Sequence, residues 1–221
     1  ERVEMANFDL VLTPNWRWHE HGNDGSAPAI WLDGLDIPIV SAFAGSFAEH
    51  LGNNPPPPAI APGDSRMRYG ATLRPVARTT ADRAASNHPL FHYPYAQWRE
   101  ALERTAAGSE LDPHFGCAME FVNPVDGGSV MGTISAFAHL VRAETATLPI
   151  RQSASAVYVG VEGEAVLTVD GTPFEIGPRD VVAVPSWSEL SIRAGTTDTV
   201  LFSYSDRVCM EKLGLWREQR S

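Results

Sequence analysis

Short apolar runs, broken every eight to ten residues by Gly, Asp or Pro, dominate the second half of the chain. They fall at 155–163, 164–171, 172–177, 180–187, 189–195 and 198–206. That cadence predicts strand after strand in an antiparallel sandwich or barrel. A different period appears at 93–108, where Tyr95, Trp98, Ala101, Leu102 and Thr105 recur at three-to-four residue spacing. Pro94 suits a first helical turn and Gly108 a stop, so a helix is expected over 94–107. The proline run at 53–65 lacks backbone donors and excludes a central strand or a helix there. The ending, from Val208 to Arg220, reads as a short surface helix. The pattern therefore divides the chain into 1–45, an irregular connection at 46–115 holding the one helix, a strand-rich module at 116–208, and a tail at 209–221.

An internal repeat sharpens this division. Asp9-Leu-Val-Leu-Thr-Pro-Asn-Trp16 and Asp180-Val-Val-Ala-Val-Pro-Ser-Trp187 share Asp, an apolar position, Val, Pro and Trp in register, at an offset of 171 residues. Both read as an apolar strand ending in Pro-x-Trp, which points to a duplicated β-module. Under that offset the strand pair 155–171 has no counterpart in the first copy. The first module is thus expected to begin part-way through, with its open sheet edges completed by chain that this sequence does not contain.

Composition adds exclusions. The chain has 221 residues, 43% of them apolar, with 18 Gly and 17 Pro, enough for a core and many turns. A formal net charge of -10 repels phosphate backbones and argues against nucleic acid as a partner, though not against a small anion held by a local cation. Cys117 and Cys209 lie far apart, as expected of reduced thiols in a cytoplasmic protein. No run of apolar residues is long enough to suggest a membrane span, and no signal peptide is evident.

The chemistry concentrates at Pro14-Asn-Trp-Arg-Trp-His-Glu-His-Gly-Asn23. Pro14, His19 and Asn23 fit the spacing of the second cupin motif, Gly-x5-Pro-x-Gly-x2-His-x3-Asn, while Phe8 and Trp16 replace its two glycines. An imidazole on a barrel strand, facing others, makes a face with open metal coordination positions. The wording around the motif carries more. That segment, Trp31-Leu-Asp-Gly-Leu-Asp-Ile-Pro38, the 68–75 stretch, the 93–108 helix and 120–137 together resemble the gentisate 1,2-dioxygenase family, with its salicylate and 1-hydroxy-2-naphthoate relatives.

The resemblance implies an all-β bicupin whose first barrel is incomplete here. Residues 1–45 would be the metal-site half of the first cupin, and 116–208 a second cupin without metal ligands. It implies Fe(2+) as cofactor, with His19 as one ligand and the other iron histidines upstream. His21, two residues along the same strand, would contact substrate and act catalytically. Trp31 would line the substrate pocket, and Asp33 would bind there or orient His21. The implied partners are a small aromatic carboxylate, most simply gentisate, and dioxygen, in a homo-oligomer (a tetramer by resemblance). A non-catalytic cupin used for binding or assembly, or an inactive truncated fragment of such an enzyme, is the competing expectation.

The repeat places Leu190 and Ile192 where His19 and His21 stand in the first copy. The stretch 151–158 holds no histidine, so the second module is expected to be structural. Among the remaining histidines, His88 and His92 read as solvated loop residues beside Pro89. His139, on an apolar strand, reads as a satisfied core residue, and His114 has nothing to suggest ligation. Asp36, like Asp33, also fits plain turn chemistry. Trp16, Trp18 and Trp31 suit either an aromatic pocket or barrel packing.

Overall fold

A computed structural model describes residues 1–15, 17–55, 60–71 and 89–221. Its body is a pair of five-stranded antiparallel sheets. The strands are β3 (Cys117–Glu120), β4 (Ser135–Val141), β5 (Ile150–Gln152), β6 (Ala156–Glu162), β7 (Ala165–Val169), β8 (Thr172–Ile176), β9 (Val181–Val184), β10 (Glu189–Ala194), β11 (Thr199–Ser205) and β12 (Glu218–Arg220). One sheet runs β12-β5-β10-β7-β8 and the other β3-β4-β11-β6-β9. Consecutive strands therefore often lie in opposite sheets, as in a jelly-roll barrel.

The burial pattern explains the sequence pattern. In β7, Ala165, Leu167 and Val169 are buried and the residues between them are not, as expected for a strand with one face on the core. These side chains join Leu190, Ile192, Val182, Val184, Tyr158 and Leu201 between the sheets. In β4, six of seven positions are buried. Its Val141 faces the inter-sheet core, whereas Ala136, Ala138 and Leu140 pack outward with Trp98, Leu102 and Ala106. A helix covers that outer face, so β4 is apolar on both sides.

That helix is α3 (Tyr95–Gly108), one residue displaced from expectation at each end. Trp98, Leu102 and Ala106 repeat every four residues on its buried side. Ion pairs pin its other flank: Arg99 to Glu162 at 2.9 Å, and Arg142 to both Glu103 at 3.0 Å and Asp198 at 2.5 Å. The Tyr95 hydroxyl donates to Glu162. Burial, then Glu162, pushes the Tyr95 hydroxyl up to about 12.

Three local expectations are corrected. Two further short helices form, α1 (Ile37–Ala42) ahead of the connection and α2 (Asp64–Tyr69) within it, the latter starting at the end of the 53–65 run where no helix was expected. Pro38 in the first turn of α1 presets its backbone angle, a signal that outweighs the lack of a periodic apolar face. The tail is helical only in α4 (Arg207–Lys212). It then becomes β12, because the edge of β5 offers unpaired backbone groups to Glu218, Gln219 and Arg220.

The N-terminal residues contribute one short ladder. β1 (Leu10–Val11) pairs antiparallel with β2 (His92–Tyr93), just ahead of α3. Beyond it, the described residues between 12 and 36 form no strand. Ile30, Leu35, Ile37 and Phe43 are exposed, and α1 buries none of its residues.

Candidate functional site

The approach to the site is a turn that occurs twice. The Asp9 carboxylate accepts the Ala6 N–H at 2.9 Å, and the Asp9 N–H donates to the Ala6 carbonyl at 3.2 Å. The Asp180 carboxylate accepts the Gly177 N–H at 2.9 Å, and the Asp180 N–H donates to the Gly177 carbonyl at 3.1 Å. Phe8 has φ +64° and Arg179 has φ +77°, each in the left-handed region. All three pairs are 171 positions apart. The duplication read from eight residues thus extends to backbone angles and hydrogen bonds.

The first copy is anchored more heavily. Asp9 also accepts the Tyr95 N–H at 2.8 Å and contacts His92 Nε2 at 2.8 Å, with both side chains largely buried. Burial pushes the Asp9 carboxyl up, yet the Tyr95 and Ala6 N–H groups and His92 together hold it below the usual carboxylate range. His92 was expected in solvent and is instead buried, at 8% exposure. Its position in β2 opposite Val11 draws it under the turn. The visible signal was an aspartate in a duplicated turn, which sequence reasoning did not pair with a distant histidine. His88 and Trp16 lie outside the described residues.

After Pro14 the two copies part. In the second, residues 189–194 form β10 between β5 and β7. In the first, His19 and His21 lie on an exposed segment with no strand, which corrects the expectation that they share one. A strand's N–H and C=O groups need a partner strand, and among the described residues this segment has none. Asn23 shapes the return of this segment: its side-chain amide donates to the Ala27 carbonyl at 2.7 Å and its oxygen accepts the Gly25 N–H at 3.0 Å.

That return brings three expected site residues together. The His19 and His21 rings meet edge to face with centroids 5.7 Å apart. His21 stacks on Trp31 at 5.1 Å and 28°. Asp33 is exposed, and no hydrogen bond joins it to His21 among the described residues. Trp18 is also largely exposed, at 47%. Two residues that sequence reasoning missed fix the next stretch. Thr133 donates to the Asp36 carboxylate at 2.6 Å, and Gly34 lies against the Tyr204 ring so closely that a Cβ would meet its carbons at 3.1–3.3 Å.

As a metal centre the arrangement is a fragment. Among the described residues no three His, Cys, Asp or Glu side chains converge. These residues alone do not hold an iron ion, and no chemical step follows from them through one.

The barrel is filled at the positions that match His19 and His21. Leu190 and Ile192 are buried in the inter-sheet core. At that end Ile150, Tyr158, Val184 and Leu190 surround a cavity of about 10 Å³, room for one water at most. Deeper in, His139 Nε2 lies 2.8 Å from the Ser203 hydroxyl, and its Nδ1 is buried with no partner. Desolvation pushes this imidazole down to about 4, so it is neutral at physiological pH. The expectation of a core histidine holds, but it is satisfied on one nitrogen only. His114 is also buried, with Nδ1 3.0 Å from the Pro149 carbonyl.

Two five-stranded antiparallel sheets packed as a jelly-roll barrel place the protein in the cupin fold class. No protein-family model matches the chain. Curated relatives nevertheless match it over its whole length. Gentisate 1,2-dioxygenase 1 of Aquipseudomonas alcaligenes is 42% identical over 221 residues, covering 100% of this chain and 62% of that protein. The 5-aminosalicylate 1,2-dioxygenase of a Comamonas species is 34% identical, over 99% of this chain and 58% of its own length. A variant of salicylate 1,2-dioxygenase from Pseudoaminobacter salicylatoxidans, solved in complex with gentisate, superposes with a TM-score of 0.82 at 29% identity, covering 99% of this chain and 61% of that one. Over its whole length the chain is similar to proteins of the gentisate 1,2-dioxygenase family. It spans about three-fifths of the length of these relatives.

Proposed function

We propose that the protein to which this chain belongs is an Fe(II)-dependent ring-cleaving dioxygenase acting on a hydroxylated aromatic carboxylic acid, with gentisate the first substrate to test. The observation that carries this is the duplication. It maps His19 and His21 onto Leu190 and Ile192, which both point into a closed barrel. On that mapping His19 and His21 would face inward at one end of a completed first barrel, which is what a histidine-rich metal site needs.

In this reading His19 supplies one ligand imidazole, and the remaining donors come from outside the described residues. His21 stands beside the substrate and holds or passes a proton. Dioxygen is the co-substrate: both its atoms enter the product as the bond between the hydroxyl-bearing and carboxyl-bearing carbons breaks, giving maleylpyruvate from gentisate. A bound divalent metal supplies the Lewis acidity that organises substrate and oxygen. The acidic surface is tolerable for an anionic substrate because the metal dominates the local field. Supporting the class are the relatives' names, which include gentisate, 5-aminosalicylate and 1-hydroxy-2-naphthoate as substrates. No described helix is long and apolar enough to cross a membrane. A cytoplasmic homo-oligomer is the proposed form, on the resemblance to this family.

The test is oxygen consumption by the full-length protein loaded with Fe(II), alongside metal content. Gentisate-dependent uptake with a ring-opened product is expected. Stoichiometric metal without turnover on any hydroxylated aromatic acid would point to a non-catalytic cupin. Absence of both metal and uptake would sink the reading.

A further inference from the structure

We propose that Trp31 is a positioning residue for His21, and that the second barrel is the splint that keeps it in place; this rests on the reading of His21 given above. The Trp31 indole lies on the His21 imidazole at 5.1 Å and 28°, a face-to-face stack. That indole face is therefore covered and is not free to stack on a substrate ring. What it does instead is set the plane of His21, which among the described residues also meets the edge of His19 at 5.7 Å. The three rings form one ladder, with His21 in the middle.

Trp31 is itself half exposed, so packing around it does not fix its position. The fixing points lie just downstream. Gly34 sits against the Tyr204 ring, where the lack of a side chain permits the approach. The Asp36 carboxylate accepts the Thr133 hydroxyl at 2.6 Å. Asp36 is the N-cap of α1 but makes no capping bond with its side chain, because that carboxylate is committed to Thr133. Tyr204 belongs to β11 and Thr133 precedes β4, so both anchors come from the barrel that has no metal ligands of its own. The filled barrel thus has a task at the site: it holds residues 34–36, which present Trp31 to His21.

The first measurement needs no metal and no turnover. In the metal-free full-length protein, the ring protons of His21 should carry the upfield ring-current displacement of a stacked indole in histidine-selective NMR. Trp31→Ala should abolish that displacement and Trp31→Phe should retain part of it. Thr133→Val and Tyr204→Leu, which leave Trp31 intact, should move the same His21 signals toward their Trp31→Ala positions. His139 signals, from inside the second barrel, report whether each variant is folded. In the Fe(II)-loaded enzyme, Trp31→Ala should lower kcat by roughly tenfold to a hundredfold with a smaller change in KM, as misplacement of an orienting group does, and Trp31→Phe should recover much of it. His21 signals indifferent to Trp31→Ala would overturn the stack. His21 signals that follow Trp31 but ignore Thr133→Val and Tyr204→Leu, in variants with native His139 signals, would overturn the splint. A wild-type enzyme without turnover would sink the functional reading while leaving the NMR result standing.

Discussion

In the second copy of the repeated unit, Val182 and Val184 face the barrel interior and Val181 is about half exposed, at 48%. In the first copy the positions matching Val181 and Ala183 are Leu10 and Leu12, and these pack into the outer cluster with Trp98 and Phe121. The matching interior-facing residues, Val11 and Thr13, are left half-buried and exposed. One turn and one strand are therefore used with opposite faces down. The second copy is held by its own barrel. The first is held from behind, by the helix layer that covers the second. Whether a strand persists beyond Pro-x-Trp then depends on partners: β10 has β5 and β7, while the segment with His19 and His21 has none among the described residues.

The largest expected break in this comparison is at the pair Leu190 and His19. Leu190→Ala removes a side chain buried to 6% exposure and should cost about 2–5 kcal/mol in urea unfolding of this chain. His19→Ala, at the matching but exposed position, should stay within about 0.5 kcal/mol. Equal costs would mean that the first copy is as well packed as the second.

The interior of the filled barrel makes a second contrast, through pH. Desolvation holds His139 at about 4 in the folded protein, against 6.5 when exposed. Between those values the unfolded chain binds more protons, so stability falls as pH drops from about 6.5 and levels off below about 4. A fully buried group shifted this far contributes roughly 3 kcal/mol across that window. His139→Gln keeps a hydrogen-bonding partner for Ser203 without titrating. It should flatten the acid limb of a stability-pH curve; an unchanged slope would show that His139 is solvated after all.

Much of this was legible in the sequence because it is periodic. The strand cadence of 155–206, the four-residue repeat of α3 and the Asp-apolar-Val-Pro-Trp duplication each follow from local geometry. The grouping of His19, His21 and Trp31 was anticipated from the family wording, but its shape was not. Alternation gives a strand only when a neighbour takes its hydrogen bonds, and that neighbour is not visible from the segment itself. Asp9 with His92, Gly34 with Tyr204 and Asp36 with Thr133 were illegible for another reason. Each joins residues 83 to 170 positions apart, and short polar or glycine positions carry no periodic signature of their distant partners.

The anchoring of the two turns should differ measurably. Asp9→Ala removes the acceptor for the Ala6 and Tyr95 N–H groups and the partner of His92, and should cost about 3 kcal/mol. Asp180→Ala, at an exposed turn with one side-chain hydrogen bond, should cost about 1 kcal/mol. The Asp9 contribution should also fade at strongly acid pH. Its folded carboxyl titrates below the usual range, so the stability it confers is complete above an ordinary aspartate pKa and is lost as pH falls through the lowered one. Matching losses in the two variants would remove the claim that the first copy depends on its outer anchor.

The smallest effect is the most specific, because the two variants should have opposite signs. Phe8 and Arg179 occupy the same left-handed turn position, which strains any residue with a side chain. Arg179 is exposed, and its backbone N–H donates to the Gly160 carbonyl at 2.8 Å, a bond that glycine keeps. Arg179→Gly therefore relieves strain and loses little else. After the entropy cost of glycine, it should stabilise by about 0.5 kcal/mol, a rise of a degree or two in Tm. Phe8→Gly relieves the same strain but gives up the ring contact with Tyr95 at 5.6 Å and a place against the outer cluster. It should destabilise by roughly 1 kcal/mol. A stabilising Phe8→Gly would mean that the first copy is not held by its outer face, and the contrast between the two copies would fail at its base.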